Sequence, residues 1–317
     1  MFSRKAEQKM SGHSPRQLAW RRFKSNKVAI PSLVVAVLAI LSVILAPLLY
    51  GIAGIDPNAR DENALDDRGE VPGDWNGISE KHPLGVIPGV GYDLLARMLF
   101  GARVSFLIAL SATLFTVLLG LFMGIVGGYF RGRIDGVIGR FTDFLLAFPT
   151  FFMIIALSAP TIERMEKSGF IQGNEARILY LIMIFAIFGW PYLSRIIRSQ
   201  VISIRERDFV LSARALGASN FRILVKEVLP NVWTPIIIYV SLALPGYLSA
   251  EAVFSYLGIG VQPPMPTLGT IIADSTKYMM NNSVYFFIPT LALVLLVLTF
   301  NLLGDALRDA LDPKSET

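Results

Sequence analysis

The chain has 317 residues, of which 53% are hydrophobic and 17% are charged, and its formal net charge is +5. Soluble proteins have about a quarter of their residues charged, so this composition excludes an ordinary soluble domain and predicts an integral membrane protein. The sequence has no cysteine, and His13 and His82 are its only histidines. Disulfides, thiolate metal sites and histidine-rich metal sites are therefore excluded.

Residues 1–27 form a basic tail that holds eight Lys and Arg against the single acid Glu7. Its last part, Arg16–Lys27, is amphipathic, and we expect it to lie at the inner membrane interface. Residues 28–50 are uncharged and long enough to cross about 30 Å of hydrocarbon as a helix. The bases before this first span place the amino terminus in the cytoplasm, and a span that follows at once argues against nucleic acid as a partner.

Residues 51–101 are predicted to be an external loop, because they hold nine acids against four bases and are rich in Gly, Pro, Asp and Asn. A core of five further spans is predicted over 102–304, beginning with an uncharged second span at 104–130. In that span Gly120, Gly124 and Gly128 repeat along one helical face. Such a face predicts a tight seam with another helix.

The remaining spans are predicted at 143–160, with a kink at Pro149, at 178–194, with a bend near Pro191, at 228–250 and at 284–304. Arg195 and Arg198 mark the inner end of the fourth span as a positive-inside anchor. Residues 252–273 also lack charge, but their glycines and prolines exclude a lipid-exposed span, so a helix that turns back or a loop packed on protein is expected. Six spans place the tail 305–317 in the cytoplasm, and the fold class is an all-α membrane protein.

Residues 205–230 are a polar insert between two apolar spans, so they must face water. Phe209, Ala213 and Leu216 recur at helical spacing before Gly217, and the pattern resumes afterwards, which predicts a helix, a glycine turn and a second helix. A glycine is required there because such a turn needs a residue that tolerates positive φ. An amphipathic connector that rests on the lipid surface is the alternative reading.

The amino-acid sequence of the polar insert resembles the EAA signature of bacterial ABC importer permeases. Ala213, the second alanine of that signature, Gly217 and Leu229-Pro230 match, whereas Leu211, Ser212 and Glu227 stand where the signature has Glu, Ala and often His. In that family the signature forms the coupling element that docks on a separate ATPase. The resemblance therefore implies a coupling role for Ala213, Arg214, Ala215, Leu216, Gly217, Ala218, Phe221, Glu227, Leu229 and Pro230.

Further segments resemble the dipeptide/oligopeptide branch of these permeases, and together they extend from about Arg16 to Pro313. They are His82–Gly85, Gly91–Asp93 with Arg97, Gly101–Ser105, Phe254–Pro266 and Gly304–Pro313. The resemblance implies type I importer architecture in a bacterial plasma membrane, a second similar permease, two ATPases and an external substrate-binding protein. The chain has no Walker A pattern, so ATP and Mg²⁺ are expected in the partner ATPases, with no cofactor bound by this chain and no enzymatic activity of its own.

Ionisable residues inside spans are costly unless they face a partner or water, which makes them candidates for the pathway. Glu251 could line the pathway or a gate, with solvation at the outer interface as the alternative. For Asp143, an ion pair with Arg140 is favoured over a pathway role. Trp190 could close a gate, although packing beside Pro191 is the commoner arrangement for an aromatic side chain.

Several substrates fit the same class of importer. Import of dipeptides or oligopeptides is the favoured function, and nickel chelates, glutathione and haem are the alternatives within the class. A channel or secondary transporter would need intramembrane charges or paired broken helices, and a membrane enzyme would need a reactive cluster. The sequence shows no convincing internal repeat and no reactive cluster.

Overall fold

In a computed structural model, residues 15–53, 56–72 and 75–311 are described. Parts of both predicted cytoplasmic tails, 1–14 and 312–317, lie outside them. The described residues form helices and turns, with only two isolated β-bridges, Arg60 with Tyr92 and Val86 with Asp93. The helices are α1 Pro15–Ser25, α2 Ala29–Ala53, α3 Leu94–Phe130, α4 Gly132–Ala147, α5 Thr150–Lys167, α6 Gly173–Ile204, α7 Asp208–Ala215, α8 Asn220–Ile223, α9 Trp233–Tyr256, α10 Leu268–Ser275 and α11 Ser283–Leu311.

Five of these helices, α2, α3, α6, α9 and α11, are long and apolar enough to cross a membrane. The pair α4 and α5 would make a sixth span, but it is bent by 88°. The predicted span over 143–160 is therefore sharply broken, and its predicted kink at Pro149 marks the place of the break. Phe148 has φ −84° and ψ 137°, the extended backbone that a following proline favours.

The helices extend beyond the apolar windows that predicted them. α3 begins at Leu94 instead of 104, because the Asp93 carboxylate caps it by accepting a 2.7 Å hydrogen bond from the Ala96 amide. The helix α6 continues through Pro191 and runs ten residues past the predicted end at 194, and α9 is shifted from 228–250 to Trp233–Tyr256. In these extensions Arg97 of α3 and Arg195 and Arg198 of α6 have protein partners.

The most extensive helix contact in the bundle is a close seam between α3 and α6, as the glycine repeat predicted. A Cβ added at Gly124 would lie only 2.7 Å from Cβ of Ile197, and one added at Gly128 would lie 2.8 Å from the carbonyl oxygen of Arg198. No side chain larger than hydrogen fits between these backbones. The two helices therefore behave as one unit that carries the elements described below.

The uncharged stretch 252–273 does not form a span, in agreement with the prediction. It contains the end of α9, a turn and the short helix α10, whose Leu268 and Ile271 are buried. Thr267 begins α10 with a capping box, in which its hydroxyl accepts from the Thr270 amide at 3.0 Å. The segment is thus packed on protein, and the capping box satisfies backbone amides at the start of α10.

Candidate coupling site and pathway

The polar insert folds as helix α7, a glycine turn and helix α8, which confirms the predicted local structure. Gly217 has φ +80°. Its amide donates to the Arg214 carbonyl at 3.0 Å, and the Ala218 amide donates to the Ala213 carbonyl at 3.0 Å. This pair of bonds is the Schellman motif, which closes a helix through a residue in the left-handed region. Ser219 then caps α8.

The second half of the insert is less regular than a single helix. α8 has only four residues and continues into a π-helical turn, Leu224–Val228, and a 3-10 turn, Leu229–Asn231. Pro230 has no amide hydrogen to donate, so an α-helical ladder cannot pass through it. The Asn231 side-chain amide instead donates to the Glu227 carbonyl at 2.6 Å.

One face of the insert is packed into the bundle. Val210, Ile223 and Val228 are buried in a cluster with Ile204 of α6 and Tyr129 of α3. A connector that lay only on the lipid surface would not bury these side chains against other helices of the protein. The insert is therefore a rigid extension of the α3–α6 unit.

Tyr129 connects the insert to α3 through hydrogen bonds and cation–π contacts. Its hydroxyl donates to Oδ1 of Asn220 at 2.9 Å and accepts from Nη2 of Arg214 at 3.4 Å. Arg205 donates to the Tyr129 carbonyl, and the guanidinium carbons of Arg205 and Arg214 lie 5.9 and 5.7 Å from the ring centroid, within cation–π range. Sequence reasoning missed this residue, since nothing in the local pattern links Tyr129 to an insert about 80 residues later.

The opposite face of the insert is open. Leu216 is 88% exposed and Phe221 is 77% exposed, and Leu216 lines a cleft of about 290 Å³. Of the residues predicted for coupling, Ala213, Leu216, Gly217, Ala218 and Glu227 line this cleft, together with Arg222 and Ile223. Arg214 is directed to Tyr129 instead, Leu229 is half-buried, and Ala215 and Pro230 are exposed.

The sequence predicted that Glu251 either lines the pathway or a gate or is solvated at the outer interface. In this structure its side chain is enclosed by protein. The residue is 0% exposed. Its carboxylate accepts 2.7 Å hydrogen bonds from Ser105 of α3 and Ser255 of α9. Because Ser105 also accepts from the Leu268 amide at 3.2 Å, the carboxylate joins α3, α9 and α10. Ser105 lies 146 residues from Glu251 in sequence, so no local pattern reveals that contact, whereas Ser255 lies only four residues further along α9.

Asp143 pairs with Arg195 of α6, so the predicted pair with Arg140 is wrong. Arg198 forms a two-pronged pair with Asp135 of α4, with Nε–Oδ1 and Nη2–Oδ2 distances of 2.5 and 2.6 Å. The two arginines were expected to act as an anchor near the inner interface; in the structure both hold α4 against α6. The two acids of α4, Asp135 and Asp143, therefore pair with arginines of the facing helix α6 rather than with a base on their own helix.

Trp190 is buried and stacks on Phe141, with ring centroids 6.0 Å apart and an interplanar angle of 23°. In this state the ring packs between α4 and α6, as the packing alternative predicted. Nearby, a cavity of about 450 Å³ opens between α5, α6 and α9. Aromatic side chains dominate its wall, among them Phe151, Phe185, Tyr239 and Tyr247.

The segment His82–Gly85 and the residues around Asp93 come together at the other end of the bundle. Nδ1 of His82 lies 2.8 Å from Oδ2 of Asp93, and Nε2 lies 3.1 Å from Oδ2 of Asp61. Lys81 also donates to Asp61. The hydrogen bonds from Lys81 and then His82 lower the pKa of Asp61 from 3.8 to about 2. This cluster pins the loop to the start of α3.

Comparison with known proteins places these features in one family. Residues 116–317 match the family described as binding-protein-dependent transport system inner membrane component. Residues 14–65 match the N-terminal transmembrane domain of oligopeptide transport permease C.

Full-length relatives agree. The chain is 32% identical over 311 residues to the dipeptide transport system permease protein DppC of Alkalihalophilus pseudofirmus, covering 98% of this chain and 94% of the relative. It is 36% identical over 304 residues to the oligopeptide transport system permease protein OppC of Mycobacterium bovis, covering 96% of each chain.

A solved structure supports the fold. An inward-facing form of the MetNI methionine ABC transporter superposes with a TM-score of 0.54 at 17% identity, covering 69% of this chain and 98% of that one. The chain is therefore a multi-pass membrane protein that belongs to the family of binding-protein-dependent transport system inner-membrane components.

Proposed function

We propose that this chain is a permease subunit of an ATP-driven importer of dipeptides or oligopeptides. The observation that carries the proposal is the open face of the polar insert, where Leu216 and Phe221 stand beside the Gly217 turn. Exposed apolar side chains on a water-facing element are suited to docking on another protein. The names of the full-length relatives, which are dipeptide and oligopeptide transport permeases, supply the substrate class.

In this proposal the cleft of the insert receives a partner ATPase, which binds ATP and Mg²⁺. The packed face then carries a movement of the ATPase to the membrane helices. The Tyr129 contacts lead to α3, and the Val210 and Ile223 contacts lead to α6. Because packed interiors transmit displacement with little compression, a shift at the cleft would move the α3–α6 unit as a whole.

The transport path would form between this chain and a second, similar permease. The aromatic cavity between α5, α6 and α9 is this chain's contribution to it in our proposal. Trp190 and Asp143 would then lie beside the path at the α4–α6 contact, while Glu251 would support α3, α9 and α10 from within the protein.

The proposed orientation places both termini and the polar insert in the cytoplasm, with the acidic loop outside, where a substrate-binding protein delivers the cargo. Reporter fusions at Asn63 and Ser219 test this arrangement. We expect an external reading at Asn63 and a cytoplasmic reading at Ser219. An external reading at Ser219 would contradict docking on a cytoplasmic ATPase.

Reconstitution tests the function. This chain would be co-expressed with the permease, the ATPases and the binding protein encoded by neighbouring genes, and the complex placed in proteoliposomes. We expect ATP-dependent uptake of labelled dipeptide or oligopeptide, and none when the ATPases are omitted. Uptake of a nickel chelate, glutathione or haem without peptide uptake would reject the peptide assignment and keep the importer class, and ATP-independent uptake would reject the class.

A further inference from the structure

A second cavity, of about 470 Å³, lies at the end of the bundle where the 56–93 loop meets α10. This volume falls within the roughly 300–1,000 Å³ of small-molecule sites. Its wall combines apolar residues with two cations and one anion, Arg97, Lys277 and Asp274. The coupling mechanism described above uses none of these three charges.

Arg97 is a buried cation that forms no direct ion pair or hydrogen bond with a carboxylate among the described residues. It is only 7% exposed. Its Nη1 donates to Oδ1 of Asn58 at 2.8 Å and its Nη2 donates to the Pro264 carbonyl at 2.9 Å, and both acceptors are neutral. Its Nε is buried without a hydrogen-bond partner. A buried charge in this state is costly unless an anion joins it.

The guanidinium is also held in one orientation. Its carbon lies 4.7 Å from the centroid of the Tyr92 ring, a cation–π contact, and the two Nη bonds fix the plane of the group. Each Nη also carries a second hydrogen beyond these two bonds, and the planar guanidinium matches the geometry of a carboxylate. The site is therefore organised to accept a carboxylate.

Asp274 supplies a negative pole in the same cavity. Its Oδ1 accepts from Lys277 at 2.7 Å and its Oδ2 accepts from the Tyr285 hydroxyl at 3.4 Å. The Lys277 bond raises the pKa of that amine. Because Lys277 is 71% exposed, this ion pair is a weak surface pair that a ligand cation can replace.

We infer that this cavity binds the two charged ends of a small peptide, with the carboxylate at Arg97 and the ammonium at Asp274. The identity of the cargo rests on the proposed function, and the charges themselves do not. The wall between the two poles is apolar, with Pro263, Met265 and Ile271, and suits an uncharged side chain. An inorganic anion would use Arg97 but neither Asp274 nor this wall.

Binding to the permease and ATPase complex, without the binding protein, tests the inference by calorimetry in nanodiscs. The probes are Ala-Phe, Ala-Phe amide, which lacks the carboxylate, and propionyl-Phe, which lacks the ammonium. We expect Ala-Phe to bind at least about tenfold more tightly than either analogue, since each loses a charge-assisted hydrogen bond. Equal affinities for the three probes, or no binding, would overturn the inference.

Variants assign the effect to this chain. Asp274→Asn should abolish the preference for Ala-Phe over propionyl-Phe and preserve the preference over the amide, whereas Arg97→Lys should do the reverse. Glu163→Gln is the matched control, because Glu163 pairs with the exposed Lys167 at 2.5 Å in the same way and does not line this cavity. If Arg97→Lys fails to fold, Asp274→Asn decides alone, and an unchanged ammonium preference there would reject the site.

Failure of this inference is separable from failure of the proposed function. ATP-dependent peptide uptake by the complete transporter, with no peptide binding at this cavity, would reject the cavity site and leave the importer assignment intact. Binding with the predicted preferences, together with uptake of a different cargo, would support the cavity site and reject the peptide assignment.

Discussion

The Tyr129 hydroxyl, at the end of α3, donates a 2.9 Å hydrogen bond to the Asn220 side chain, at the start of α8. This hydrogen bond links α3, which packs closely against α6, to the part of the insert that follows the Gly217 turn. Since Arg214 on α7 reaches the same hydroxyl, Tyr129 joins both halves of the insert. A contact of this kind is suited to transmit movement and adds little to global stability.

Tyr129→Phe tests that link. The change removes the hydroxyl and keeps the ring that Arg205 and Arg214 face. The free energy of unfolding should therefore change by no more than about 1 kcal/mol. The ratio of peptide uptake to ATP hydrolysis should fall. Tyr256→Phe, at an exposed tyrosine, should leave this ratio unchanged, and an unchanged ratio in Tyr129→Phe would show that the bond does not transmit movement.

Gly217→Val tests the turn of the insert. At φ +80° a β-branched residue is strained by about 1–3 kcal/mol, and no atom lies within 4 Å of an added Cβ, so the strain comes from the backbone alone. Abundance should remain near normal while co-purification of the ATPase or coupled uptake falls. The matched control is Gly51→Val, a helical glycine with equally open space. Normal uptake and normal association in Gly217→Val would contradict the coupling role.

Asp135→Asn tests the two-pronged pair with Arg198. Asp135 is only 17% exposed and the pairing is bidentate, so we expect a loss of about 1 kcal/mol, against no more than about 0.5 kcal/mol for Glu163→Gln in its exposed pair. Chemical denaturation of the purified chain, with a double-mutant cycle that includes Arg198→Gln, measures the pair itself. A coupling energy near zero would show that the pair does not hold α4 to α6.

Two substitutions of Glu251 distinguish a structural role of this residue from a role in the transport pathway. Glu251→Ala leaves a cavity and removes the acceptor for the Ser105 and Ser255 hydroxyls, at a cost of about 2–4 kcal/mol. Glu251→Gln keeps the volume and one accepting oxygen, so it should retain most of the stability and the uptake. Loss of uptake in Glu251→Gln with an unchanged melting temperature would instead support a direct part in transport.

The cluster of Asp61, Lys81, His82 and Asp93 predicts a pH dependence. The pKa of Asp61 is lowered in the folded state to about 2, from 3.8, so its contribution to stability is fully present above about pH 4 and is lost as the pH falls through the range from 4 to 2. Melting temperatures of the parent chain and Asp61→Asn should therefore converge toward pH 2 and differ most above pH 4. A constant difference across this range would reject the assignment.

The sequence by itself determined the local features of this protein. Uncharged windows long enough to cross the hydrocarbon identified the spanning helices, since burial of apolar side chains in lipid depends only on composition along the chain. Gly217 identified the turn of the insert, because the need for positive φ is a property of one residue. The glycine repeat of α3 predicted a close seam from spacing along one helix.

Only the tertiary structure decided which residues meet across helices. Asp143 had Arg140 as its neighbour in sequence, yet its partner is Arg195, because α4 lies against α6. Glu251 had no visible partner, and its hydroxyl donors come from α3 and from one turn further along α9. The bend at Pro149 was predictable as a kink, but its 88° angle depends on what α4 and α5 pack against. Hydrogen bonds and ion pairs act over a few ångströms in space, and one chain order permits many such pairings until the helices are packed.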